Sequence, residues 1–329
     1  MNRQVKTRHW TTALACLLAV LVSPAARSQD SYPTRLITIV VPFPPGGSSD
    51  PLMRLIAQKM SESIKQTIVI DNKPGGAGNL AAKVVKQAAP DGYTLFMGNM
   101  STHAINVSLF SNLGFDPLKD FQPITLLMSF PSILVVPADS PAKTARELAE
   151  LAKSKPGGLS YGSQGVGSGG HLLGEMFRSK VGVPMVHVPY RGAAPAVQDL
   201  IAGRVDMLFG SYISTGPHVE QGKLRMLGLT AAKRSQALPN VPTMAEAGFP
   251  GVELELWYGM LAPAGTPAPV IRFLHDEFVK AARSQEVARM VIPQAADVVT
   301  STPEELAALI AADIVRLGKV VREAGAKAD

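Results

Sequence analysis

The sequence predicts an α/β protein of parallel strands joined by crossover helices. Three observations carry this: short runs rich in Ile, Val and Leu recur along the chain, each run stops at a Gly or Pro cluster, and each cluster is followed by apolar residues at helical spacing. A 46% hydrophobic share fits a chain that folds rather than one too polar to form a core.

The first 28 of the 329 residues predict a cleavable secretory signal instead of a folded element. Arg3, Lys6 and Arg8 give a positive start, residues 13–22 are an unbroken apolar run, and Ala26-Arg27-Ser28 is a small-x-small cleavage pattern. Four of the 32 basic residues and none of the 26 acidic ones lie in this leader, so the remaining chain carries 28 against 26, a net +2 in place of +6. With no basic arm or stripe left, a nucleic-acid partner is excluded. Cys16, the single cysteine, also falls in the leader, which leaves no disulfide, thiolate metal site or cysteine nucleophile beyond it. No later stretch reaches the roughly 18 apolar residues of a membrane span. The exported part has room for about two domains of roughly 100 to 200 residues each.

The clearest unit comes next: a buried strand at 36–41, the loop Pro42-Phe43-Pro44-Pro45-Gly46-Gly47, and a helix through Leu52, Leu55, Ile56, Met60 and Ile64. Asp50 before Pro51 predicts an N-cap, because a carboxylate accepts a free backbone N–H and proline has none to leave unpaired. A strand at 67–70, the loop 72–78 and a helix at 80–88 repeat the pattern, followed by a strand at 93–97 and a helix at 105–110. Thr144 and Glu147 form a capping box for a helix to 154, and a strand at 159–163 leads through glycines into a helix at 171–181. Strands are expected at 185–188, 205–210 and 224–230, with a helix at 195–202. Helices close the chain at 270–282 and 303–324, the latter capped by Thr302 with Glu305. The apolar segments 133–136 and 253–258 are each flanked by Pro or Gly and are read as linkers, so the chain would cross twice between domains. The predicted division is 29–131 with 257–329 as one domain and 132–256 as the other.

Strand, glycine loop and helix together make an anion site: glycine admits close approach, and the helix start presents unpaired N–H groups and the positive dipole end. Loops 44–49, 74–78 and 162–170 have this form, and Ser48, Ser49, Ser163 and Ser168 add hydroxyls, although each loop alone is also an ordinary tight turn. Gly165, Gly167 and Gly170 spell GxGxxG, but the acidic residue that fingerprint wants about 20 positions on is absent, and only Arg191 keeps an NADP reading in play. A serine hydrolase would use Ser163 or Ser168 with His171 as base, yet neither serine sits in GxSxG. The lack of a cysteine beyond the leader and of an i, i+4 histidine pair argues against zinc. Arg191 could fork onto a carboxylate or form a surface salt bridge, and Asp206 reads as a structural hydrogen-bond acceptor.

Five blocks in order, VVPFPPGGSSD (40–50), DNKPGGAGN (71–79), PDGYTL (90–95), YGSQGVGSGGHL (161–172) and VPYRGAAPAVQDLIAGRVD (188–206), resemble the substrate-binding proteins of tripartite tricarboxylate transporters, the Bug receptors. The resemblance implies a two-domain periplasmic binding protein fold of type II, a Venus flytrap in which each domain is a mostly parallel sheet flanked by helices. It implies a periplasmic monomer that closes on a small organic carboxylate, hands it to membrane subunits of such a transporter, and needs no cofactor, no metal and no catalytic residue. Carried over by motif, the ligand would meet Phe43, Pro45, Gly46, Gly47, Ser48, Ser49 and Asp50 on the first loop and Ser163, Gly165, Gly167 and Ser168 on the second. Asn99, Ser101, Tyr190, Arg191 and Gly192 would complete the cleft. An exported enzyme acting on a small carboxylate is the alternative.

Overall fold

The computed structural model describes residues 32–46, 49–323 and 325–328. The leader, Cys16, Gly47 and Ser48 therefore lie outside the described residues. Arg35–Asp329 group into one compact unit holding two sheets.

Chain order in the first half of the first sheet is β1 (Ile37–Val41), α1 (Asp50–Ile64), β2 (Ile68–Asn72), α2 (Asn79–Lys86) and β3 (Thr94–Asn99). A π-turn at Ser101–Ile105 runs into the short α3 (Asn106–Leu109), and β4 (Phe121–Pro131) follows. The chain then enters the second sheet with β5 (Ile133–Pro137), α4 (Ala145–Ser154), β6 (Ser160–Ser163), α5 (Gly169–Val181) and β7 (Val186–Pro189). That sheet is completed by α6 (Ala193–Ile201), β8 (Met207–Gly210), α7 (Tyr212–Glu220) and β9 (Leu224–Leu229). Back in the first sheet are β10 (Glu255–Pro263), α8 (Ala268–Ala282), α9 (Gln285–Val291), β11 (Asp297–Val298) and α10 (Pro303–Glu323).

Both sheets are mixed, which corrects the expectation of mostly parallel ones. The first runs β11-β4-β10-β3-β1-β2 and the second β7-β6-β8-β5-β9. Each has a parallel half built by crossover helices (β3-β1-β2; β7-β6-β8) and an antiparallel half (β11-β4-β10; β5-β9). The strand that returns from the other sheet inserts antiparallel in the interior of its own: β5 between β8 and β9, β10 between β3 and β4.

The segments read as linkers are thus parts of interior strands. Apolar side chains on both faces explain this: Leu134 and Val136 of β5 pack into one core with Tyr161, Phe177 and Phe209, while Ile133 and Val135 pack with Leu200, Val205 and Leu208 on the other side. The handover itself is a dry hydrogen-bonded junction. Thr230 N donates to Ser132 O (2.9 Å), Leu254 N to Thr230 O (2.9 Å), Ser132 N to Thr230 Oγ1 (2.8 Å), and that hydroxyl donates to Leu254 O (2.8 Å). Burial with every backbone group paired makes this a defined crossing point rather than a loose tether.

One capping box forms in full and the other in half, the Glu147 carboxylate accepting from Lys143 N (2.6 Å) rather than from Thr144 N. Thr144 Oγ1 accepts from Glu147 N (3.1 Å), and Thr302 with Glu305 makes the reciprocal pair at 3.1 and 2.9 Å. Asp50 departs from expectation. Ser49 holds the N-cap position without a side-chain cap bond, and Asp50 is the first helical residue.

Candidate functional site

The first loop is held from below by one carboxylate. Asp50 accepts from Gly46 N (3.1 Å), from Arg54 Nε (2.9 Å) and from Asn72 Nδ2 (3.3 Å), whose amide also donates to Phe43 O (3.0 Å). Burial works against its ionisation, but the bonds from Arg54, Gly46 and Asn72 outweigh it and hold its carboxyl below the usual range. Pro45 and Gly46 are exposed, Phe43 is half-buried, and Ser49 is fully buried with no hydrogen-bond partner for its Oγ among the described residues.

The second loop has a different support. Ser168 caps α5: its Oγ accepts from His171 N (3.2 Å) and donates to Gly165 O (2.8 Å). Ser163 Oγ accepts from Gly165 N (3.2 Å) and lies 2.7 Å from His187 Nε2. Gly167 N donates to His171 Nδ1 (3.3 Å). Of the first three N–H groups of α5, the cap uses only that of His171; those of Gly169 and Gly170 have no partner among the described residues. Both glycines are also required by packing, since a Cβ would meet Leu256 Cδ2 at 2.5 Å on Gly169 and Phe209 O at 2.6 Å on Gly170.

The loops meet across β10. Phe43 stands 6.0 Å ring to ring from Tyr258, Gly169 packs on Leu256, and residues 256 and 258 share one face of a strand, so both loops border the same strip. Phe130 backs Tyr258 at 5.0 Å. Gly167 abuts Leu109, Asn106 and Ala77, all attached to the first sheet, with no room for a Cβ (2.6, 2.8 and 3.6 Å). These contacts describe a closed arrangement of the second loop on the first sheet.

Other sequence-predicted residues take supporting places. Asn99 is buried, and its Oδ1 accepts from Ser101 N (2.8 Å) and Thr102 N (3.2 Å), which fixes the π-turn; its Nδ2 has no partner among the described residues. Tyr190 directs its hydroxyl to Asp199 Oδ2 (2.8 Å), and its N–H bonds Ser163 O (3.0 Å). Burial and this carboxylate push its phenol up to about 12. Gly192 N donates to Gln164 O (3.2 Å) at φ +111, a conformation glycine supplies without strain. Arg191 is exposed and makes no ion pair among the described residues. Asp206 accepts from Ser160 N and Oγ and from Lys155 Nζ at 2.7 to 2.8 Å, the structural role expected of it.

Sequence reasoning missed Ala77, Asn106, Leu256, Tyr258 and His187. Ala77 lies in a glycine loop that the sequence does offer, but the others join the site only through sheet pairing and closure. The Ser163–His187 contact bears on the hydrolase reading. The imidazole beside the serine is His187, not His171, and burial, with His171 alongside, lowers it to about 4. Such a ring is a poor base at neutral pH, and Ser163 has no exposed surface. No group of three or more His, Cys, Asp or Glu able to hold a metal occurs among the described residues, nor any helix long and apolar enough to cross a membrane. A surface depression of about 350 Å³ lined by Lys59, Glu62, Lys280 and Glu286 shares no residue with the loops, and Lys59 is already paired with Glu286 at 2.7 Å.

Residues 52–326 match the family described as "Tripartite tricarboxylate transporter family receptor". Similar curated proteins include one from the tcbD-tcbE intergenic region of Pseudomonas sp. (38% identical over 94% of this chain and 93% of its own) and BugT of Bordetella pertussis (33%, 96% and 98%). Similar solved structures include an R. palustris protein with adipate (37% identical, 89% of this chain and 98% of that one, TM-score 0.85) and MatC from Rhodopseudomonas palustris with bound malate (35%, 88% and 100%, TM-score 0.82). The periplasmic binding protein BugD superposes with a TM-score of 0.82 at 32% identity, over 90% of this chain and 99% of that one.

Proposed function

The chain belongs to the tripartite tricarboxylate transporter receptor family, and on that premise we propose that it is a periplasmic receptor that captures a small organic carboxylate between the loops at 43–50 and 163–170. The observation that carries this reading is the start of α5: N–H groups on Gly169 and Gly170 without a partner among the described residues, with no acidic residue in the helix's first turn, beside a strip of β10 that the first loop also borders. Adipate and malate in similar structures support the ligand class.

The two sheets are the cores of the two lobes, 29–131 with 257–329 and 132–256 except that Glu255 and Leu256 go with β10 and the first sheet, and the lobes turn about the Ser132–Thr230–Leu254 junction. A ligand contacted by both loops favours the closed form over the open one, and the closed form is what the membrane subunits receive. The receptor acts as a monomer, exported by its leader, and releases its ligand unchanged.

The test is thermal melting of residues 29–329, unfolded and refolded to strip bound solute, with mono-, di- and tricarboxylates and aromatic acids. Saturable stabilisation, about 2.7 kcal/mol at a hundred times Kd, with the acid recovered intact, is the expected result. No response to any acid, or consumption of one, defeats the receptor reading.

A further inference from the structure

Two imidazole rings behind the second loop shape it. His171 Nδ1 receives the Gly167 N–H at 3.3 Å, and His187 Nε2 lies 2.7 Å from the Ser163 hydroxyl. The imidazoles stack 4.0 Å apart at 12°, and Tyr161 extends the column 4.9 Å beyond His187. Gly167 has φ +81 and no side chain, so its peptide depends on neighbours for its orientation. We infer that His171 and His187 are positioning residues: as a neutral stacked pair they clasp residues 163–167 in the shape that receives the ligand, and protonating the pair opens the clasp. This rests on the reading that the second loop belongs to the binding site.

The chemistry is directional. An acceptor at His171 Nδ1 exists only while that nitrogen carries no proton; protonated, it sets N–H against N–H. A charge on one ring also repels a charge on the other across 4.0 Å. The groups facing the pair are Glu175 of α5, whose carboxylate accepts from the Tyr161 hydroxyl of β6 and is paired with Arg178 at 2.6 Å. Burial lowers both imidazoles and Glu175 opposes it without overcoming it, so the clasp is closed at neutral pH.

The experiment measures exchange of the Gly167 amide by NMR in ligand-free residues 29–329, corrected for the intrinsic rate, in wild type, His171→Phe and His171→Asn. Phe keeps the ring stack without the acceptor; Asn offers a non-titrating acceptor near the position of Nδ1. Exchange about tenfold faster in His171→Phe, largely restored in His171→Asn, is expected for one lost hydrogen bond. Wild type should lose this protection as the imidazoles take up protons on acidification, and His171→Asn should not. Unchanged exchange in a folded His171→Phe overturns the inference; so does wild-type protection that fails to follow imidazole protonation, which decides the matter should His171→Phe not fold. Affinity for adipate and malate, measured alongside, should weaken about tenfold in His171→Phe. A verified clasp in a protein that binds no acid sustains this inference and counts against the receptor reading alone.

Discussion

The two glycine loops have the same plan, strand to glycines to helix, and opposite electrostatics. The first places Asp50 in the first turn of α1, where it occupies the positive helix end and is itself neutralised by Arg54. The second places no acid in the first turn of α5 and builds its frame from serines and neutral imidazoles. A helix end that already carries a carboxylate attracts a ligand's less strongly. On the proposed reading the first loop would serve mainly as a shaped wall, with Phe43 against Tyr258, and the second would supply the stronger grip on an anion.

Valine substitution at matching glycines tests that contrast most severely. At Gly167, φ +81, a Cβ would lie 2.6 Å from Leu109 Cδ2 and 2.8 Å from Asn106 Oδ1, so Gly167→Val props the second loop off the first sheet. Calorimetry with an acid found in the melting screen should show binding weakened by at least about a hundredfold, about 2.7 kcal/mol, with the circular dichroism spectrum kept. Gly46 has a similar φ of +75, but a Cβ there would meet nothing within 4 Å among the described residues, so Gly46→Val costs only the left-handed backbone, about 1 to 2 kcal/mol of stability. Equal loss of binding in the two variants would erase the distinction between grip and wall.

Acid separates the loops next. His187 is lowered to about 4 and His171 is lowered, so their unfolded forms bind protons more readily than the folded ones. Their contribution is complete above the unfolded value near 6.5 and is lost as pH falls from there towards 4. His103 adds to the same slope: buried among Phe96, Phe115 and Phe121, it is lowered to about 3. Asp50 is lowered as well, but for a carboxylate this means stability present above the unfolded value near 3.8 and lost only below it. Urea midpoints followed from pH 7 to 4.5 should fall in wild type and fall less in His187→Gln, whereas Asp50→Asn should leave the slope unchanged. A slope that follows Asp50 instead would place the acid-sensitive element in the first loop.

Why the second loop's support was hard to read is physical. Strand, loop and helix are local, and 36–41, 50–64 and the two capping boxes were legible because dihedral preference and capping act within a few residues. His187 is 24 positions from Ser163 and joins it only because β6 and β7 pair in parallel. β4 is illegible in the sequence since Pro123 and Pro131 interrupt its alternation, and its partner β10 lies more than 100 residues on. α7 is hidden by the same kind of signal, with Gly216 and Pro217 inside it. The interior strands β5 and β10 read as linkers because Pro or Gly flanks each, and β5, apolar on both faces, has no period-two pattern to set against that. The anion-loop idea needed only local information; which atoms within each loop are free needed closure and sheet register.

Ser168 carries the smallest effect and the clearest change of role. From sequence its hydroxyl was a candidate ligand donor, but it accepts from His171 N at 3.2 Å and donates to Gly165 O at 2.8 Å, so both functions of the oxygen are engaged within the loop. Ser168→Ala should lower the urea-unfolding free energy by about 1 kcal/mol, the usual value of an N-cap. Affinity should change far less than that, because the N–H groups of Gly169 and Gly170 keep their places on α5. The stability loss must also exceed that of an alanine replacing Ser49, the N-cap residue of α1 whose hydroxyl makes no cap bond. If instead Ser168→Ala weakens binding by more than it weakens the fold, the hydroxyl turns to the ligand on binding, and the second loop grips by side chain as well as by backbone.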